Sequence, residues 1–263
     1  MSEKSPYALR LARSEADIRA CQALRYRVFY EELAARPEGE AAASRLDADR
    51  FDPICDHLLV IATSEAPGAE DTPIDGGVLV GTYRMLRQEI AEAHFGFYTE
   101  SEFDVRPMIA AHPHLRFLEL GRSCVLRSHR TKPVLELLWQ GIWDFVRAHR
   151  MDVMFGCASL EGADPQRHRQ ALGLLASLRE TPTEWRAAAL PTRRVDMPAG
   201  KGAFDRRALH ALPPLIKGYL RLGCYIGEGA VIDTQFDTVD ILIVLPVSAI
   251  DKRYFGRFGG PND

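Results

Sequence analysis

The stretch LELGRSCVL, residues Leu118–Leu126, combines the pattern of a buried β-strand with two opposite charges. Its bulky apolar residues favour a strand, yet it contains Glu119 and Arg122. Charged groups inside a sheet are unfavourable unless they are paired or line a cleft. Two interpretations follow: a structural ion pair, or the floor of an active site.

A glycine between the two charged residues affects where they point. Residues three apart in a regular strand lie on opposite faces, but Gly121 separates Glu119 from Arg122. A glycine inside a strand often marks a β-bulge, and a bulge would turn both side chains to one side. On these residues alone, a structural ion pair is the commoner arrangement.

The amino-acid composition indicates which broad class of protein this chain belongs to. The chain has 263 residues, 46% of them hydrophobic and 26% charged, which is typical of a soluble globular protein. Its net charge of −3 argues against general nucleic-acid binding. The five cysteines form no CxxC pair and show no metal-ligand spacing. We therefore expect a reduced, cytoplasmic protein without a metal.

Hydrophobic periodicity predicts one α+β (α/β/α) domain over residues 1–263, with a mixed sheet and helices on both faces. Ser14 is a good N-cap for the first helix. No apolar run is long enough to span a bilayer. The expected parts are a first helix at 14–33, a loop at 34–57, a central strand–helix–strand at 116–160, and a C-terminal helix with strands at 208–255.

Further charged and aromatic positions accompany Glu119 and Arg122. Taken singly, each has a plain explanation as a solvated face, a core residue or a local ion pair. They are Arg25 and Phe29 on the first helix, Asp49, Phe51, Asp52 and Asp56 in the loop after it, and Arg84 inside an apolar strand.

Taken in order, these segments resemble the acyl-homoserine lactone synthases, which have the Gcn5-related N-acetyltransferase (GNAT) fold. The resemblance lies in LRYRVFYEEL, DADRFD, VGTYRML and LELGRSCV. It implies a mostly antiparallel, splayed sheet. The residues that match the family pattern are Arg25, Phe29, Asp49, Phe51, Asp52, Arg84, Glu119 and Arg122.

A closer resemblance covers nearly the whole chain. The segments CDHLLV, FLELGRSCVLRSHRTKPVLELLWQGI, LPPLIKGYLRLG and AVIDTQFDTVDILIVLPVSAID are similar to the bacterial L-ornithine Nα-acyltransferases, once labelled haemolysin-like. The resemblance implies transfer of a 3-hydroxyacyl group from acyl carrier protein to the α-amine of L-ornithine. The product would be lyso-ornithine lipid, the first intermediate of ornithine lipid biosynthesis. A lipid-like product favours peripheral contact with the inner membrane.

The donor loop supports a carrier-protein donor over coenzyme A. Ordinary acetyltransferases grip a pyrophosphate with a glycine-rich loop, whereas here RTKPVL has Pro133, which lacks an N–H donor. The acyl-phosphopantetheine of acyl carrier protein is the expected co-substrate, and no permanently bound cofactor is expected. A basic cluster, the alternative being ordinary solvated surface, is the expected docking patch for this acidic partner: Arg127, His129, Arg130 and Lys132.

The resemblance and the chemistry of aminolysis suggest roles for these residues. Glu119 is the expected base, paired with Arg122 at the floor of a catalytic cleft. Backbone N–H groups of Ser123, Cys124 and Val125 would stabilise the oxyanion. An arginine would bind the ornithine carboxylate and an aspartate of a lid-like loop its δ-ammonium, without an individual assignment among Arg25, Arg84 and Arg122 or among Asp49, Asp52 and Asp56.

Three alternatives stay open at this point. The acceptor is another amine, such as lysine or glycine; or the chain is a lactone synthase that uses S-adenosylmethionine. The third alternative is a non-catalytic module that binds acyl carrier protein or lipid. The C-terminal segment YLRLGCYIGEGAVID favours the ornithine family over the lactone synthases.

Overall fold

The computed structural model describes residues 5–33, 35–63, 72–178, 181–198 and 206–251. Position 34 of the expected loop and positions 252–255 of the expected C-terminal segment lie outside these ranges. The chain divides into two compact units. The first comprises Met1–Leu86 and Leu120–His149, and the second Arg87–Glu119 and Arg150–Asp263. Strand β6, Phe117–Val125, begins in the second unit and ends in the first.

The first unit contains a sheet in the order β1-β2-β4-β6, with β3 paired to β4. Its other strands are β1 Tyr7–Leu11, β2 Asp56–Ala62, β3 Pro73–Ile74 and β4 Gly77–Arg87. Its helices are α1 Glu15–Tyr26, which continues as a π-helical turn Arg27–Glu32, α2 Gly39–Ser44 and α5 Lys132–Ala148. Ser14 caps α1, accepting a hydrogen bond from the N–H of Asp17.

Helices cover both faces of this sheet. The Thr82 hydroxyl donates to Cys21 Sγ of α1 at 3.4 Å, so this side of β4 faces α1. Leu58 belongs to the opposite face, because Thr82 pairs with the adjacent residue of β2. Its methyl groups contact Gly141 of α5. The predicted three-layer α/β/α arrangement is confirmed in this unit.

Strand β6 contains an irregular backbone position. Arg122 has φ of 51°, in the left-handed region that non-glycine residues adopt at a cost of about 1–3 kcal/mol. The expected irregularity therefore lies at Arg122, one residue after Gly121. Residues 121–123 are half-buried, whereas the strand is buried on either side of them. Backbone geometry thus brings a charged residue towards solvent in a strand whose remainder is core.

The second unit is also α+β, with sheet order β6-β7-β11-β10-β8-β5 and with β9 paired to β10. Its remaining strands are β5 Phe103–Asp104, β7 Val153–Glu161, β8 Ala188–Ala189, β9 Arg194–Val195, β10 Tyr225–Asp233 and β11 Thr238–Pro246. Its helices are α3 Gln88–Glu92, α4 Arg106–Ala111, α6 Arg169–Leu178, α7 Arg206–Ala211 and α8 Pro214–Leu222.

Strand pairing is mixed and mostly antiparallel, as predicted, and both parallel pairs lie in the second unit. Parallel pairs join β6 to β7 and β8 to β10, and the other recorded strand pairs are antiparallel. Helix α8 ends before Gly223, whose φ of 92° lies in the left-handed region typical of the residue that terminates a helix. In the described ranges, none of the helices has the length and apolarity needed to cross a membrane.

Two mid-helix glycines provide a matched test of packing. A Cβ at Gly141 would lie 2.7 Å from Leu58 Cδ1 and Cδ2, whereas a Cβ at Gly173 would lie 3.9 Å from its nearest neighbour. We expect Gly141→Ala to destabilise the protein by about 1 kcal/mol or more, because overpacking outweighs the gain in helix propensity. We expect Gly173→Ala to be neutral or stabilising by up to about 1 kcal/mol. Urea unfolding measures both, and equal effects would contradict the assigned packing of α5.

Candidate active site

Three arginines and three aspartates of the first unit form a closed ring of ion pairs. The arginines come from three elements: Arg25 from α1, Arg84 from β4 and Arg122 from β6. The aspartates come from one short loop before β2: Asp47, Asp49 and Asp52. We call these six residues the charge ring.

Each guanidinium of the charge ring contacts two carboxylates, and each carboxylate contacts two guanidiniums. The N···O distances around the ring are 2.7 Å for Arg25–Asp52, 2.9 Å for Asp52–Arg84, 2.7 Å for Arg84–Asp49, 3.2 Å for Asp49–Arg122, 3.4 Å for Arg122–Asp47 and 2.9 Å for Asp47–Arg25. With three charges of each sign, the ring is neutral as a whole.

The aspartates also fold their own loop. Asp52 Oδ2 accepts hydrogen bonds from the N–H of Asp49 at 3.1 Å and from the Gln22 amide at 2.9 Å. Asp49 Oδ1 accepts from the N–H of Phe51 at 2.9 Å. The ring of Phe51 is buried, and the Arg84 guanidinium lies 5.7 Å from its centroid. The loop is therefore held by its side chains in one conformation.

The charge ring has a buried side and a more exposed side. The side chains of Arg25 and Asp52 are each 1% exposed, whereas Arg122 is 13% and Asp49 23% exposed. Burial would raise the pKa of Asp52, but the Arg25 and Arg84 guanidiniums outweigh it and hold that pKa well below its usual range. Burial and the same kind of pairing, with Arg84 and Arg122, leave the pKa of Asp49 lowered as well.

The structure brings together most of the residues singled out in the first half of the chain. Five of the predicted residues are members of the charge ring, and Phe51 packs against it. Phe29 is half-buried in the π-helical turn after α1, and Asp56 opens β2 opposite Met85. The prediction missed Asp47. Its signal was the spacing in LDADRFD, where acids alternate at positions 47 and 49.

Glu119 lies in the second unit, where it holds a turn of backbone. Its Oε1 accepts a hydrogen bond from the N–H of Thr99 at 2.6 Å, and its Oε2 accepts one from Tyr98 at 3.1 Å. These N–H groups open the 3-10 turn Tyr98–Ser101, and Glu119 is 6% exposed. Both oxygens of this carboxylate are therefore used to hold the turn. Its expected pairing with Arg122 stays a prediction.

Cys124 and the basic cluster follow on β6 and after it. Cys124 is buried, and burial raises the pKa of its thiol. A thiol that stays protonated is a poor nucleophile. Arg127, Arg130 and Lys132 are exposed, with Arg130 paired to Glu32 at 2.6 Å. His129 is buried, and its ring contacts the Ser128 hydroxyl at 2.9 Å. Three of the four predicted docking residues therefore present charge to solvent.

The charge ring is expected to dominate the stability of the first unit. Asp52→Asn leaves the buried Arg25 and Arg84 without one of their carboxylates, so we expect a loss of about 3–5 kcal/mol in the free energy of unfolding. Glu31→Gln, which breaks an exposed ion pair with Arg45 in the same unit, is the control. We expect it to cost about 0–1 kcal/mol. Urea unfolding followed by circular dichroism measures both variants.

The same comparison has a defined pH dependence. Because the folded-state pKa of Asp52 is lowered, its stabilisation is present above the unfolded pKa and is lost as pH falls below about 4. The difference between wild type and Asp52→Asn should therefore shrink between about pH 5 and pH 2. A difference that does not change over this range would contradict the ion pairing of Asp52.

Comparison with known proteins identifies the fold of the chain that contains the charge ring. A family model described as an acetyltransferase (GNAT) domain matches residues 24–140, which include the whole charge ring and Glu119. The structure is similar to that of FeeM, an N-acyl amino acid synthase from uncultured soil microbes, with a TM-score of 0.53. This similarity covers 95% of this chain and 98% of the other at 10% identity, and it shows a shared fold.

Sequence comparison is more specific. The chain is 50% identical over 253 residues to the L-ornithine Nα-acyltransferase of Agrobacterium fabrum, covering 95% of this chain and 84% of that protein. It is 40% identical over 249 residues to the protein of the same name from Rhodobacter capsulatus, covering 94% and 93%. The non-catalytic alternative and the lactone synthase alternative are thereby set aside. The chain is an acyltransferase of the GNAT fold and belongs to the L-ornithine Nα-acyltransferase family.

Proposed function

We propose that this enzyme transfers a 3-hydroxyacyl group from acyl carrier protein to the α-amine of L-ornithine. The observation that carries the proposal is the 50% identity over 95% of the chain to a protein named for ornithine acylation. The proposed product, lyso-ornithine lipid, is the precursor of a membrane lipid. Peripheral contact with the inner membrane from the cytoplasmic side belongs to the same proposal.

The charge ring is assigned mainly a positioning role. Arg25 and Arg84 are 1% and 5% exposed and each is shared between two carboxylates, so they hold the loop in place. Arg122 is more exposed and has the longer contacts, at 3.2 and 3.4 Å. We assign Arg122 to the ornithine carboxylate, because a guanidinium binds a carboxylate in a bidentate fork. Phe29 and Asp56, beside the ring in sequence, stay proposed substrate-binding residues.

The reaction is aminolysis of a thioester. The α-ammonium of ornithine first loses a proton, directly or through a water, to Glu119. The free amine attacks the thioester carbonyl, and the oxyanion accepts hydrogen bonds from the backbone of Ser123, Cys124 and Val125. Collapse of the tetrahedral intermediate breaks the C–S bond, and the phosphopantetheine sulfur leaves with a proton as the thiol. No acyl-enzyme forms, which agrees with the raised pKa of Cys124.

Substitution of Glu119 tests the base. We expect Glu119→Gln to lower kcat by on the order of 10²–10⁴. The amide also places an N–H₂ against the N–H of Tyr98 or Thr99, so some loss of stability accompanies it. Steady-state turnover with ornithine, at a temperature where circular dichroism shows the folded variant, is the measurement. Full activity would remove Glu119 from the mechanism.

Glu100→Gln is the matched control for Glu119→Gln. Glu100 Oε1 accepts a hydrogen bond from the N–H of Phe97 at 2.9 Å, in the same turn. Both substitutions therefore disturb the same backbone, but only one removes the proposed base. We expect Glu100→Gln to keep kcat within a few-fold of wild type. Equal losses of kcat in the two variants would assign Glu119 a structural role instead.

The donor is tested with purified protein and a matrix of substrates. 3-Hydroxyacyl carrier protein or the matching acyl-coenzyme A is offered with ornithine, lysine, glycine or S-adenosylmethionine, and mass spectrometry reads the products. We expect lyso-ornithine lipid from the carrier-protein donor. Product formed only with the acyl-coenzyme A donor would contradict the proposed carrier-protein donor. Product formed with another amine in place of ornithine would contradict the proposed acceptor.

Charge reversal in the basic cluster tests docking of the carrier protein. We expect Arg127→Glu with Lys132→Glu to raise KM for the carrier-protein donor by on the order of tenfold, more at low salt. Turnover with an acyl-pantetheine donor should stay unchanged. Arg106→Glu, at a 73% exposed arginine outside the cluster, is the control. A similar rise in KM in the control would show that overall charge, and not the cluster, is responsible.

A further inference from the structure

Three buried carboxylates gather in the second unit, away from the charge ring in the sequence. They belong to Glu102, just before β5, Asp233 at the end of β10, and Asp240 within β11. One oxygen of each lies within 4.8 Å of the others, and the residues are 1%, 5% and 5% exposed. We call these three residues the carboxylate cluster.

The carboxylate cluster differs from the charge ring in its charge balance. In the described part of the chain, the cluster forms ion pairs with one cation, Arg193. The guanidinium nitrogens of Arg193 lie 4.0 Å from a carboxylate oxygen of Glu102 and 3.9 Å from one of Asp233. Three acids therefore face one arginine, whereas the ring has three of each. Burial, with the neighbouring acids, raises the pKa of Glu102 to about 7 and that of Asp240 to about 6. A positive ligand would relieve this imbalance.

Three buried polar atoms at the cluster are unsatisfied hydrogen-bonding groups. Glu102 Oε2, Asp240 Oδ1 and the Thr238 hydroxyl are buried and make no hydrogen bond of good geometry among residues 72–178, 181–198 and 206–251, although the Ser159 and Thr238 hydroxyls lie close enough to Asp240 to lower its pKa. Such groups are rare in folded proteins and cost about 1–3 kcal/mol each. Thr238 is not an acid, and it pairs with Asp233 across the β10–β11 ladder. A primary ammonium has three N–H donors, which matches three unused acceptors.

Strand register places the cluster on the same sheet face as Glu119. Glu119 pairs with Phe155 of β7, and Asp240 pairs with Ser159 four residues further along that strand. Cys157 lies midway on this face, ~7 Å from Phe155 along the strand. Its Sγ is 3.9 Å from the Thr99 hydroxyl, and the N–H of Thr99 binds Glu119. Phe155 and Ser159 lie ~13 Å apart along the strand, whereas the α- and δ-nitrogens of ornithine lie about 6 Å apart when extended. The side chains of both ends act on Cys157 between them: burial and the charges of Glu102, Asp240 and Glu119 raise the pKa of its thiol.

Solvent reaches this end of the sheet face. Ser159, opposite Asp240, is exposed, and the side chain of Arg193 is 37% exposed. The carboxylates are therefore buried beneath an open rim.

We propose that Glu102, Asp233 and Asp240 bind the side-chain ammonium of the amino-acid acceptor, with the Thr238 hydroxyl as a further acceptor. This inference rests on the proposed function, since it specifies where the second cation of ornithine is held. It takes the place of the proposal that Asp49 or Asp52 binds that ammonium, because each of these two aspartates is already paired with two arginines. The cluster selects the acceptor, and Glu119 acts at its other amine.

The test compares L-ornithine with L-norvaline, which has the same carbon skeleton and no δ-ammonium. With the donor that wild type accepts, we expect kcat/KM for ornithine to exceed that for norvaline by on the order of 10–100-fold. We expect Asp240→Asn and Glu102→Gln each to raise KM for ornithine by on the order of tenfold. Their kcat/KM for norvaline should stay within about threefold of wild type, which a merely structural role would not produce.

Glu161→Gln is the control, an exposed carboxylate of β7 that pairs with Thr238 on the same face. It should leave both substrates unaffected. Equal loss of kcat/KM for ornithine and norvaline in the cluster variants would overturn the inference, as would wild type that does not distinguish the two amines. Wild type that acylates norvaline or lysine but not ornithine would overturn the proposed function instead.

A second measurement covers variants that fold poorly and tests a metal as the ligand. Without substrate, Asp240→Asn should melt at a higher temperature than wild type at pH 8, because it removes a buried charge held near other acids. A lower melting temperature would indicate that Asp240 is structural and overturn the inference. Activity lost on treatment with EDTA and restored by Ca²⁺ or Mg²⁺ would also overturn it and assign the cluster to a metal.

Discussion

The closed ring of three arginines and three aspartates is the constraint on which the rest of the first unit depends. Six charges, four of them buried, are tolerated together because every one has two partners of opposite sign. Since Arg25, Arg84 and Arg122 come from α1, β4 and β6, the ring fixes the loop against a helix and two strands at once. The ring thus preorganises the loop in this structure, and the loop's expected role as a lid over the acceptor stays a prediction.

The long elements followed from periodicity, and the short ones did not. The stripe of apolar residues in α5, the continuous runs of β2 and β4, and the stop at Gly223 all carry strong local signals. Strands β5, β8 and β9 have two residues each, too few for any period to show. Neither glycine nor proline marks the change from α1 to the π-helical turn, so tertiary packing decides it.

Site residues that match the sequence pattern of a known family could be predicted. Those brought together only by the register of paired strands could not. Five ring residues were identified in advance, whereas Asp47 was missed although it stands two residues before Asp49. The carboxylate cluster was missed altogether, because Glu102 and Asp240 meet only when β7, β10 and β11 have paired. A lone acid in the apolar strand TVDILIVLP was the available signal, of the same kind as Arg84 in β4.

The order in which the ring residues occur along the chain has a consequence for folding. Asp52 lies 27 residues from Arg25 and Asp49 lies 35 from Arg84, but Asp49 and Arg122 are 73 apart. Contacts with long sequence separation form late, because loop closure must precede them. A partly folded chain without β6 thus holds three aspartates against two arginines. Arrival of Arg122 brings the missing positive charge, and desolvation of the loop becomes favourable only at that step.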